Sequence, residues 1–282
     1  MKGIVIPPSR PGQVEAEAIP RNAKGAALLL PALAIFCFLV APLLALLLQA
    51  LPALAGAGPS PLVIDALRLS LLTTLVTTLG AILLGTPTAY LLARYRFRGQ
   101  AILETLIDLP MVLPPAVAGL ALLMAFGRRG LLGGVLALAG ISLPFTTVAV
   151  VFAQAFVAAP FYIRAARAGF AAVNPRLEQM AATLGVAEWR IFWQVTLPLA
   201  RRSLISGAIM TWARALGEFG ATIMFAGNLQ GRTQTMPLAI YIGLQEDLNG
   251  ALALAGILLA VSFGLLIAVR LIGGRGVGDA AG

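Results

Sequence analysis

Apolar runs of about 20 residues recur along this 282-residue chain, the length a helix needs to cross the hydrocarbon core of a bilayer. A water-soluble fold has nowhere to put them, because 60% of the residues are hydrophobic and only 11% are charged. Six runs stand out, at about residues 26–49, 62–93, 103–126, 144–168, 200–226 and 249–271, each bounded by charge, Gly or Pro. The expected fold is therefore all-α, an integral membrane protein of about six transmembrane helices. Residues 1–25, with Pro7, Pro8, Pro11 and Pro20, read as a cytoplasmic N-terminal tail, and residues 272–282 as a cytoplasmic C-terminal tail. Ala53-Leu54-Ala55 resembles a signal cleavage site, but the run before it exceeds the length of a signal core, which favours a retained helix. The segment from Leu131 to Ala139 is too short to span and is expected as a turn of helix at the outer surface.

The net charge of +9 and pI near 11.0 follow from how Lys and Arg are distributed between the runs. With the N-terminus inside, 15 of the 20 basic residues fall in inner segments and only Arg128, Arg129 and Arg232 in outer ones. That bias predicts both termini in the cytoplasm. The basic residues form no single stripe with interleaved aromatics, so nucleic acid is not the expected partner. Histidine is absent, which removes the commonest metal ligand and general base, and no catalytic or metal-binding residue is assigned. Cys37, the sole cysteine, lies within an apolar run and excludes an intrachain disulfide.

The most informative polar stretch runs from Phe170 to Leu199. Asn174 followed by Pro175 is a helix start, since Asn can cap free backbone donors and Pro fits the first helical position. Gly185 then interrupts the pattern, predicting short helices at about 175–184 and 187–196, the second ended by Pro198. Two functions suit such a pair: an amphipathic element resting on the membrane interface, or a knob gripped by a partner through exposed Glu178, Glu188 and Arg190.

Glu178-Gln179-Met180-Ala181-Ala182, Gly185 and Val195-Thr196-Leu197-Pro198 resemble the "EAA loop" of ABC importer permeases. That pattern is Glu-Ala-Ala, three residues, Gly, nine residues, Ile, one residue, Leu-Pro, and the spacing from Gly185 to Leu197-Pro198 is kept. The Glu-Ala-Ala core is carried as Gln179-Met180-Ala181, with Glu178 one position early. The resemblance implies a type I ABC importer permease fold, in which residues 175–198 dock on a cytoplasmic ATPase. Glu178, Gln179, Ala181, Ala182, Gly185, Leu197 and Pro198 are the ATPase-coupling candidates. No Gly-x-x-x-x-Gly-Lys-Ser/Thr loop occurs, so ATP and Mg are expected on the partner ATPase, with no cofactor in this chain.

Within the fifth run, Arg214 and Glu218 stand four apart and can pair on one face. Charges embedded in a membrane mark pathways by default, although a structural ion pair fixing helix contacts is the plainer reading. In the third run, Pro110, Pro114 and Pro115 predict a broken helix, either for packing or because the broken backbone faces an aqueous cavity. Arg214, Glu218, Phe219, Pro114 and Pro115 are the translocation-pathway candidates. The stretches Ala215 to Asn228, Thr233 to Tyr241, Leu113-Pro114-Pro115 and Gly127 to Gly133 resemble molybdate permeases. Sulfate permeases share the plan but tend to carry Gly-Glu-Tyr-Gly where this chain has Gly217-Glu218-Phe219-Gly220. The resemblance covers about residues 62–271 and implies a homodimer in the inner membrane of a prokaryote. It also implies two ATPase subunits and an extracytoplasmic oxyanion-binding protein, with molybdate the expected ion and tungstate or sulfate the alternatives. A passive channel, an ion-coupled transporter and a membrane-embedded enzyme are the rival classes.

Overall fold

The computed structural model describes residues 24–56 and 61–274. Among them the regular structure is helical and contains no strand. The helices are α1 (Lys24–Gly56), α2 (Pro61–Arg94), α3 (Gln100–Val112), α4 (Pro115–Phe126), α5 (Gly133–Leu138), α6 (Thr147–Ala172), α7 (Pro175–Thr183), α8 (Glu188–Ile191), α9 (Leu197–Leu216), α10 (Gly220–Ala226), α11 (Met236–Glu246) and α12 (Leu248–Gly274). A π-helical turn, Phe192–Thr196, joins α8 to α9. The expected tails lie outside the described residues, except that Lys24 and Gly25 open α1 and residues 272–274 close α12.

The chain divides into two units, residues 1–47 and residues 48–282. In the first, α1 exposes large apolar side chains from Leu29 to Leu47, a surface suited to lipid rather than water. In the second, helices pack through small and hydroxyl-bearing residues. That is the expected solution in a bilayer, where apolar side chains gain nothing by leaving lipid for one another. Among the described residues, Leu29–Ala55, Pro61–Arg94 and Thr147–Ala172 are each long and apolar enough to cross a membrane. The helices α3 and α4 pass that test together, bent by 120° at the expected proline break.

Side-chain contacts fix the helix directions. The Thr77 hydroxyl donates to Gln154 Oε1 at 3.1 Å, the Thr86 and Tyr162 hydroxyls share a 2.6 Å bond, and Arg94 donates to the Val173 carbonyl at 3.3 Å. These contacts rise together along both sequences, so α2 and α6 run parallel. The chain must return between them, and α3 and α4 make the return. Ion pairs hold α3 to the late part of α6, and Ala118 and Leu122 of α4 share a buried cluster with Ala149 and Val150 at its start. The contacts of α9 with α6 run the other way. A Cβ added at Gly169 would lie 2.5 Å from Ser203 Cβ, and one at Gly207 2.8 Å from Ala165 Cβ.

Three sequence expectations change. Pro198 does not end a helix; the helical path continues from α8 through the π turn into α9, and the π turn directly before Pro198 is where a continuous helix accommodates a proline. The fifth run is two helices, because α9 stops at Leu216 and α10 begins at Gly220. The connection before the last run contains α11, whose Met236 N–H donates to Ser70 Oγ at 2.7 Å and whose Gly243 abuts Ala251 of α12. The expected turn of helix between Leu131 and Ala139 is present as α5.

Candidate functional site

The knob after α6 is built as its sequence dictates. Asn174 Oδ1 accepts the Arg176 N–H at 3.0 Å, and Pro175 takes the first position of α7. At the other end Gly185 adopts φ +77°, the Gly185 N–H donates to the Ala182 carbonyl, and the Val186 N–H donates to the Ala181 carbonyl. This paired bonding closes a helix with a left-handed residue, which favours glycine. No residue of α7 is buried. Gln179 and Ala182 face outward, Ala181 is half-covered, and the apolar Met180 and Leu184 stand exposed, Leu184 by 83%. Glu188 and Arg190 are exposed as expected, with the Arg190 guanidinium 5.3 Å from the Trp189 ring centre.

Glu178 departs from the expectation of an exposed carboxylate. Its Oε1 accepts from Arg94 Nη2 at 2.7 Å and from the Thr196 hydroxyl at 2.6 Å, so one oxygen ties α7 to the end of α2 and to the π turn that begins the α9 path. Thr196 is fully buried. The one-residue offset of the acidic position thus turns its carboxylate inward and leaves Gln179 on the outer face. Leu197 is half-buried and Pro198 exposed where α9 begins.

The pathway candidates come together at two helix breaks. The α3–α4 break carries Pro114 and Pro115, and the α9–α10 break carries Gly217, Glu218 and Phe219. A Cβ added at Gly220 would lie 2.5 Å from Pro115 Cβ, and one at Gly119 would lie 2.6 Å from Met224 Cβ, so the broken segments touch through glycine. Arg214 Nη1 lies 2.8 Å from Glu218 Oε2. Glu218 is only 1% exposed, and its second oxygen accepts the Ala221 N–H at 2.8 Å, which secures the start of α10. The Arg214 side chain keeps 30% exposure. A guanidinium held by a buried carboxylate but still partly open offers an anion an attraction too shallow to trap it. The Phe219 ring lies 5.4 Å from that of Tyr241.

Sequence reasoning missed two features. Ser70, Thr73, Thr74, Thr77 and Thr78 form a buried hydroxyl face on α2, to which Trp212 donates through Thr74 at 2.7 Å. The second is a charged cleft: Arg164 Nε lies 3.2 Å from Asp108 Oδ1, and Arg167 Nη2 lies 2.8 Å from Glu104 Oε1. Carboxylates four apart facing arginines three apart were a readable signal, had the two segments been placed side by side.

A family model described as a binding-protein-dependent transport system inner membrane component matches residues 81–273. The molybdenum transport system permease protein ModB of Mycobacterium tuberculosis is 44% identical over 234 residues, 83% of this chain and 89% of that protein. The sulfate transport system permease protein CysT of Escherichia coli is 37% identical over 77% of this chain and 78% of its own length. A crystal structure of a bacterial ABC transporter involved in the import of the acidic polysaccharide alginate superposes with a TM-score of 0.74. That match covers 91% of this chain and 97% of the other at 17% identity, a likeness of fold. With a family model over residues 81–273 and relatives above 30% identity across most of both chains, the chain belongs to the family of binding-protein-dependent transport system inner membrane components.

Proposed function

We propose that this chain is the membrane subunit of an ATP-driven importer for a tetrahedral oxyanion, with molybdate as the cargo. The observation that carries the reading is the Arg214–Glu218 pair at the junction of two broken helices. It places a restrained positive charge where irregular backbone interrupts the bundle, and such backbone at membrane depth belongs where protein or water covers it. The similarity to ModB at 44% identity against 37% for the sulfate permease CysT favours molybdate.

In this reading the N-terminus, the α7–α8 knob and the C-terminus face the cytoplasm, as the excess of Lys and Arg at that side requires. A separate ATPase holding ATP and Mg grips α7, where the apolar Met180 and Leu184 stand mostly exposed. Two copies of the chain and two ATPase subunits form the transporter, and an extracytoplasmic oxyanion-binding protein delivers the ion. Glu178 passes the motion of α7 to α2 and α9 through Arg94 and Thr196. Specificity resides largely in the binding protein, and this chain supplies alternating access.

Uptake of labelled molybdate into proteoliposomes holding the chain, its ATPase and its binding protein tests the proposal. Accumulation should require ATP and both partners, and unlabelled tungstate should compete more strongly than sulfate. Equal uptake without the ATPase would make the chain a channel or an ion-coupled transporter.

A further inference from the structure

The cleft between α3 and α6 has a volume of about 380 Å³ and is walled by Leu92, Ile107 and Ile163 around Glu104, Asp108, Arg164 and Arg167. Arg164 stands eight residues before the end of α6 at Ala172, about 12 Å into the helix at its usual rise. Arg164 and Arg167 are paired with Asp108 and Glu104 and line this cleft, as charged side chains of membrane helices do when they face a cavity rather than lipid. All four remain partly exposed, with side-chain exposures of 61% for Arg164, 40% for Arg167, 36% for Asp108 and 25% for Glu104. The cleft thus presents charged groups that are not fully covered, and its α6 wall, from Ile163 to Ala171, reaches the end of α6 that leads into the knob.

Each recorded ion pair engages one nitrogen of its arginine: Arg164 through Nε and Arg167 through Nη2. A guanidinium has five N–H donors in a fixed fork, so both keep donors for another acceptor. The Gln100 amide also donates to Glu104 Oε1 at 2.8 Å, which tethers that carboxylate to its own helix. Two forks on one helix face, three residues apart and each balanced by a carboxylate, form an anion site with no net charge. Such a site attracts a dianion through oriented donors while the carboxylates keep the attraction shallow enough for release.

We propose that this cleft is a low-affinity exit site for the transported tetrahedral dianion, with Arg164 and Arg167 as donors and Asp108 and Glu104 as the groups that hasten its departure. The inference rests on the transport reading above and adds a station on the cytoplasmic side of the Arg214–Glu218 junction.

The carboxylate variants distinguish this role from a salt-bridge ladder that only holds α3 in place. Asp108→Asn and Glu104→Gln should bind molybdate more tightly, by about tenfold if one charge-assisted hydrogen bond is freed. The change is read by equilibrium dialysis of labelled molybdate against the detergent-solubilised, nucleotide-free complex of chain and ATPase. Arg164→Gln with Arg167→Gln should abolish that binding and lower molybdate transported per ATP hydrolysed, while Arg164→Lys with Arg167→Lys retains part of both. A ladder without anion affinity predicts that acid and arginine variants lose thermal stability and uptake alike, with no molybdate retained by either, and that result would overturn the exit site. Absence of ATP-dependent uptake of molybdate or sulfate by the wild-type complex in proteoliposomes supplied with its binding protein would instead overturn the transport reading beneath it.

Discussion

Glu218 shows how far one side chain departs from what spacing alone suggests. The i, i+4 relation to Arg214 predicts a pair on a helix surface, and the pair exists. Glu218, however, lies beyond the end of α9, buried, with its other oxygen on the Ala221 N–H of α10. Exchanging the two charges should therefore fail to restore uptake, because an arginine at 218 cannot accept that N–H. Glu218→Gln, which keeps an acceptor, should retain more activity than Glu218→Arg in the same assay. Arg214→Ala leaves a buried carboxylate without its cation and should cost about 3 kcal/mol, read as a lower melting midpoint in detergent. Glu178 makes a second test. Glu178→Gln should preserve membrane insertion and ATPase binding but lower the ratio of uptake to hydrolysis, since the Arg94 and Thr196 contacts converge on its Oε1. An unchanged ratio would make the contact purely structural.

At the level of helices, the sequence disclosed starts and breaks better than continuations. Asn174-Pro175 and Gly185 bound α7 as expected, because capping and left-handed backbone are local chemistry. Pro198 was misread as a stop, because a proline that breaks a regular helix can also stand beside a π turn within a continuing one, and the sequence does not show that turn. The interruption at Gly217 was invisible for a related reason: the apolar run continues through it, and the segment that meets it at Gly220, around Pro115, is distant in sequence. Gly220→Val should push α10 off α4 and destabilise the protein by about 2 kcal/mol, measured as a fall in melting midpoint. Gly185 has open space around it, so Gly185→Val should leave the membrane helices intact. It strains the α7 cap by about 1–2 kcal/mol and should weaken ATPase binding in a pull-down from detergent.

For the molecule as a whole, hydropathy and charge bias were enough to reveal a helical membrane protein, because lipid imposes length and apolarity on each crossing. They could not reveal that α2 and α6 run parallel around a broken return, which depends on Thr77 meeting Gln154 and Thr86 meeting Tyr162. Nor could they expose the charged cleft, whose partners lie some 60 residues apart in sequence and are joined only by the fold. Coupling to an ATPase requires that the α7–α8 knob face the cytoplasm. Placing a cysteine at Glu188 in a chain with Cys37→Ser, then applying a membrane-impermeant maleimide, tests that placement most directly. Labelling only after the inner face is opened, and protection when the ATPase is bound, is the predicted result. Labelling from outside intact cells would contradict it.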